Sequence, residues 1–182
     1  MVMRTAVPDF QQNFFQLFSL PQHFRLDSTQ LEQRFHALQN QVHPDKFAHL
    51  PEAERRVSMQ WATRVNEAYQ TLRSPVRRAR YLLSLHGVDT QEETNTAMPG
   101  DFLIQQMEWR EVIEDALQAR DIAALEALEA RLQDESGSME TSLAGMLDDE
   151  QSYAAAAGEV RKLRFLEKLA EEISSAYDEI ET

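Results

Sequence analysis

From Tyr153 to Ile180 the apolar residues recur at Tyr153, Ala156, Val160, Leu163, Leu166, Ala170, Ile173, Tyr177 and Ile180. Steps of three and four, sustained over that length, fit an α-helix with one buried stripe and do not fit a strand, whose side chains alternate. The same period appears at Leu31, Phe35, Leu38 and Val42. It returns at Leu125, Leu128, Leu132, Met139, Leu143 and Met146, close to the a/d seam of packed helices. The 182 residues include only five glycines and six prolines, and Ala, Leu, Glu and Gln are abundant. These are strong helix formers, so the expected fold class is all-α.

Prolines and caps divide the chain into helices. Phe10, Phe14, Phe15, Leu17 and Phe18 mark a short first helix, ended by Leu20-Pro21. Asp27 or Ser28 can cap the second by accepting backbone N–H bonds. A third carries Ala53, Val57, Trp61, Val65, Ala68 and Leu72, with Pro51 suited to its first helical position and Glu52 complementing the positive end of its dipole. It should stop before Ser74-Pro75. A fourth helix, with Val76, Ala79, Tyr81, Leu82, Leu83 and Leu85, ends at His86-Gly87. The segment 88–100 has no helical stripe and closes on Pro99-Gly100, so it reads as a linker between residues 1–87 and 101–182. The second half holds three long helices. Asp121 should cap the middle one, and Asp148-Asp149-Glu150 should turn into the last. An antiparallel three-helix bundle buries all three stripes.

Two features exceed what such a fold needs. The first is Gln41-Val42-His43-Pro44-Asp45-Lys46-Phe47, between the second and third helices. Proline cannot continue a helix and pushes its predecessor out of the helical region. His43 should therefore sit just past a helix end, with a stiff turn presenting Asp45. The second is the first bundle helix. On a wheel of about 100° per residue, Phe102, Trp109, Ile113, Ala116 and Leu117 share a core sector. Leu103, Ile104 and Met107 fall outside it, beside Glu108, Glu111 and Asp115, and Phe165 lies roughly opposite the core face of the last helix. A group of apolar side chains rimmed by acids reads as a binding patch, beyond the scatter of surface apolars that any protein shows.

Charge narrows the classes of partner. Residues 1–90 carry 11 basic and 8 acidic side chains, for +3; residues 91–182 carry 7 and 23, for −16. A charge of +3 spread over four helices is a poor phosphate footprint, and the acidic half opposes nucleic acid and anionic lipid. There are no cysteines, hence no disulfide and no thiolate metal site or nucleophile. His36, His43 and His49 stand seven and six residues apart, which does not place them on one helical face for a metal. No cofactor or metal is expected. No signal-like apolar run follows Met1-Val2-Met3-Arg4 and no stretch could span a membrane, so a cytoplasmic location is expected. A phosphorelay module would need its histidine on a helix, which the Pro-Asp after His43 would break. A purely structural adaptor remains the other rival.

The tripeptide between two helices, followed by Val65-Asn66-Glu67-Ala68-Tyr69-Gln70-Thr71-Leu72-Arg73-Ser74-Pro75 and preceded by Asn13-Phe14-Phe15-Gln16-Leu17-Phe18-Ser19-Leu20-Pro21, resembles a J-domain over residues 10 to 86. Arg80-Tyr81-Leu82-Leu83-Ser84-Leu85-His86-Gly87, Phe102-Leu103 to Glu111, and Val160-Arg161-Lys162-Leu163-Arg164-Phe165-Leu166 extend the resemblance to the HscB family, the J-type co-chaperones of iron–sulfur cluster assembly. That resemblance implies a J-domain in residues 1–87 and a scaffold-binding bundle in 101–182. It implies no catalysis by this chain. Instead the chain would stimulate an HscA/DnaK-type chaperone ATPase and bring it an IscU-type scaffold protein. His43, Pro44, Asp45, Arg34 and Lys46 would meet the chaperone. Leu103, Ile104, Met107, Glu108, Glu111, Asp115 and Phe165 would hold the scaffold. Asn40 and Gln41 stand where many J-domains carry Lys or Arg, which suits a dedicated chaperone.

Overall fold

A computed structural model describes residues 9–42, 51–91 and 98–181. Among them every regular element is helical: α1 (Phe14–Leu17), α2 (Ser28–Val42), α3 (Glu52–Arg73), α4 (Pro75–Leu85), α5 (Gly100–Ala119), α6 (Ile122–Ala144) and α7 (Tyr153–Glu181). The chain divides into two compact units between Leu82 and Leu83, inside α4. The turn residues had suggested a boundary in 88–100, of which 92–97 lie outside the described residues.

In the first unit α2 and α3 form a helical hairpin with α1 packed on α3. Asp27 caps α2, its carboxylate accepting from the amides of Thr29 and Gln30 at 2.9 and 3.1 Å. Asn13 and Gln16 form a reciprocal capping box on α1. Leu31, Val65, Ala68 and Leu72 are fully enclosed, and Phe35 stacks on Tyr69 with ring centres 4.0 Å apart. Apolar side chains removed from water to this degree stabilise by about 1.5–3 kcal/mol each. Tyr81 of α4 closes the unit: its hydroxyl accepts from the Phe14 amide at 3.0 Å and its ring stacks on Phe14 at 4.4 Å.

Several expected core positions of the first four helices lie elsewhere. Phe10 precedes α1 and is exposed, with its ring edge-on to Trp61. Ala53 and Val57 are also exposed, because α3 has 22 residues against 15 in α2 and its first turns outrun the facing helix. Leu85 is exposed at the end of α4. Pro51 is the N-cap of α3, one position before the helix proper.

The turn after α4 is a Schellman motif. Val88 N–H bonds to the Leu83 carbonyl at 2.9 Å and Gly87 N–H to the Ser84 carbonyl at 3.0 Å, with Gly87 at φ +73°. Only that left-handed residue lets both orphan carbonyls find donors. Beyond it, Arg161 of α7 donates to the Thr90 carbonyl at 3.0 Å and His86 stacks on Tyr153.

In the second unit α5, α6 and α7 pack pairwise into a bundle around Trp109, Ile113, Leu125, Leu128, Leu132, Leu143, Leu166, Leu169 and Ile173. Arg120 (φ 53°) supplies a second Schellman turn, and Asp121 then caps α6 by accepting from the Ala124 amide at 3.1 Å. Several seam positions differ from the expected ones. Leu147, rather than Met146, is buried, because Gly145–Asp149 forms a π-turn that closes with Glu150 N–H on the Gly145 carbonyl at 2.9 Å. The extra residue per turn advances the seam by one. In α7 Ala170 is exposed and Leu169 buried, Tyr177 is half-buried while Ala176 is enclosed, and Tyr153 at the helix start is half-buried. A seam of 3.5-residue period drifts around a 3.6-residue helix, so a fixed wheel selects the wrong neighbour after two heptads. Leu117, at the end of the α5 stripe, is only half-buried.

Candidate functional site

The α5 helix is sided as its wheel required. Phe102, Trp109, Ile113 and Ala116 are 6, 2, 6 and 2% exposed, whereas Leu103, Ile104 and Met107 are 43, 61 and 72% exposed. Gln106, a polar residue inside the core sector, is buried with it. The exposed trio shares its face with Glu108, Glu111 and Asp115, all three open to solvent. A bundle that had used these side chains internally would not leave more than half of Ile104 and Met107 wet. Five of the six residues thus lie within three turns of one helix, a spacing that secondary structure alone imposes.

Phe165 belongs to this face in a different way. It is half-buried, its ring edge-on to Phe102 at 6.1 Å, and Phe102 in turn meets Trp109 edge-on at 6.3 Å. The aromatic chain runs from the bundle core out to the border of α5. At its outer end the Arg110 guanidinium lies 4.9 Å over the Phe165 ring. Arg110 is held there by Glu172 of α7, which accepts from Nε at 3.3 Å and Nη2 at 3.2 Å. Neither Arg110 nor Glu172 was singled out from the sequence. The wheel did carry the signal, since Arg110 follows Leu103 by seven residues and Met107 by three, which puts it on the same edge.

On the other side of the exposed trio a cleft of about 500 Å³ opens between the first turns of α5, Glu135 and Met139 of α6, and Lys162 of α7; Ile104 and Glu108 line it too. Lys162 is paired with Glu159 at 3.1 Å. The face is therefore apolar at its centre, with Glu108, Glu111 and Asp115 along one margin and the Arg110–Glu172 ion pair at the other.

Of the residues expected to meet a chaperone, Arg34 is exposed on α2. His36, also exposed, lies 3.7 Å from Glu32. His43, Pro44, Asp45 and Lys46, with His49, lie outside the described residues. Among the described residues no three His, Cys, Asp or Glu side chains are placed to share a metal ion, and no helix is long and apolar enough to cross a membrane.

A helical hairpin joined in one chain to a three-helix bundle is an organisation this chain shares with solved co-chaperones. Residues 98–174 match the family described as the HSCB C-terminal oligomerisation domain. The chain is 52% identical over 173 residues to the co-chaperone protein HscB homolog of Azoarcus sp. (strain BH72), covering 95% of this chain and 98% of that one. It superposes on the chaperone HscB from Vibrio cholerae with a TM-score of 0.82 at 39% identity, over 93% of this chain and 99% of the other. The human co-chaperone HscB gives a TM-score of 0.86 at 30% identity, over 93% and 84%. The chain belongs to the HscB family, the J-type co-chaperones of iron–sulfur cluster assembly.

Proposed function

We propose that this co-chaperone binds an IscU-type iron–sulfur scaffold protein on the α5 face and presents it to an HscA/DnaK-type chaperone, whose ATPase it stimulates. The observation that carries the reading is the exposure of Leu103, Ile104 and Met107 on a helix whose opposite face is fully committed to the core. Exposed apolar clusters of this kind on a folded domain mark contact surfaces. A few central apolar anchors dominate such interfaces, and rim charges set their association rate. Glu108, Glu111 and Asp115 supply the rim, and the scaffold would bring basic residues to it.

The chaperone contact is assigned to the other end of the chain. Residues 1–87 are read as the J-domain, 88–100 as the linker and 101–182 as the scaffold-binding bundle. In the J-domain His43, Pro44 and Asp45, with Arg34 and Lys46, meet the ATPase. Asp45 would offer a carboxylate to a partner arginine, a charge-assisted pair of the stronger kind. Pro44 would lower the ordering cost of docking by stiffening the turn. The chain itself breaks no bond in this scheme; the partner hydrolyses ATP in the cytoplasm, and neither nucleic acid nor a membrane takes part.

The test is single-turnover ATP hydrolysis by a purified HscA/DnaK-type ATPase with this chain, the scaffold, or both. The reading expects modest acceleration by the chain alone and a larger one with scaffold present. No acceleration by the chain would leave the structural-adaptor reading in its place.

A further inference from the structure

Phe165 differs from the other residues of the α5 face, because its ring is not free. One face carries the Arg110 guanidinium at 4.9 Å, and an edge is taken by Phe102. The cover is oriented rather than casual: both Nε and Nη2 of Arg110 donate to the two carboxylate oxygens of Glu172. A fork of this kind fixes the guanidinium plane, which a lysine ammonium in the same place could not do. Yet the side chains of Arg110 and Glu172 are 47% and 42% exposed, so water and salt reach the pair. An ion pair at such exposure holds weakly and opens readily.

We propose that Arg110 is a releasable cover over Phe165, that Glu172 holds it closed, and that a scaffold docking on the α5 face must displace it to reach the ring. This inference rests on the binding reading above and adds an element within it. Leu103, Ile104 and Met107 form the permanently open part of the surface. Phe165 is the conditional part, reached only when the Arg110 side chain swings out. The cover keeps an aromatic ring from lying bare on the free protein, and it takes a toll on affinity equal to the cost of opening it. The Arg110 cation also moves out toward the margin when the cover opens, where a partner carboxylate or carbonyl can receive it.

The experiment uses the full chain and a purified IscU-type scaffold protein, titrated by calorimetry. Glu172→Gln keeps the size of the side chain and removes the charge that holds the guanidinium. It should tighten binding roughly twofold, and Arg110→Ala, which removes the cover, roughly two- to fivefold, the range expected for an exposed cation–π contact. Neither gain should appear in a Phe165→Ala background, since there is then no ring to uncover; a merely structural role for Arg110 predicts no such dependence on Phe165. Arg110→Lys should fall between wild type and Arg110→Ala. Unchanged or weaker binding by both Glu172→Gln and Arg110→Ala, with normal melting curves, would overturn the proposal. Leu103→Ala with Met107→Ala serves as the separate check: if that pair binds normally, the docking reading itself fails, whereas if it binds poorly while the cover variants are neutral, only the cover is refuted.

Discussion

Replacing Leu103 and Met107 together by alanine separates a docking surface from a core, and the structure sets both sides of the comparison. Leu103 is 43% exposed and Met107 72% exposed. Full burial of such a side chain is worth about 1.5–3 kcal/mol, so the portion already covered in the free protein amounts to about 1.5 kcal/mol for the two together. Part of that returns through the better helix propensity of alanine at exposed positions. Folding stability should thus fall by about 1 kcal/mol. The portion still in water, which a partner would cover, amounts to about 2.5 kcal/mol, or roughly fiftyfold in Kd. Trp109→Ala is the contrasting variant, two positions from Met107 on the same helix and 2% exposed. It should lose about 3–5 kcal/mol of stability through the cavity it leaves. Phe165 is best kept out of the pair, because it is half-buried against Phe102 and its loss would mix the two effects. Calorimetric titration with the scaffold protein, beside urea unfolding of each variant, measures both quantities. A double variant that melts like Trp109→Ala, or that binds scaffold as wild type does, would refute the reasoning.

Other variants test other parts of the molecule. Asp45→Asn or His43→Gln should abolish ATPase stimulation while leaving the far-ultraviolet circular dichroism and scaffold affinity unchanged; normal stimulation by both removes the turn from the mechanism. Replacing Glu108 and Glu111 by Gln should slow association in stopped-flow mixing and flatten its dependence on salt, with little change in dissociation. Gly87→Ala meets no atom within 4 Å, yet it forces a methyl-bearing residue to φ +73°; chemical denaturation should show a loss of about 1–2 kcal/mol. Burial, and then the neighbouring Glu129 carboxylate that accepts its hydroxyl hydrogen, hold the Tyr177 phenol above its usual 10.0. The native state therefore keeps that proton longer than the unfolded chain. The resulting stabilisation is complete below pH 10 and is lost as pH rises past the native pKa, so the alkaline fall in melting temperature should be shallower in Tyr177→Phe.

The three- and four-residue spacing of apolar side chains was enough to establish an all-helical chain, the order of its helices and the sidedness of α5, because helix geometry alone decides which residues share a face. Caps at Asp27, Asp121 and Gly87 were legible for a similar reason: each acts on backbone groups a few residues away. What spacing could not determine was everything that depends on the neighbouring helix. Val57 is wet because α3 outruns α2, and Leu169 replaces Ala170 because the seam drifts as the helices wind past each other. Leu147 replaces Met146 because one π-turn inserts a residue into the register. The cover on Phe165 joins Arg110 to Glu172, 62 residues apart on different helices, and no local pattern encodes that meeting. Local rules settle which face of a helix is apolar; only the packing of one helix on another decides which part of that face stays in water.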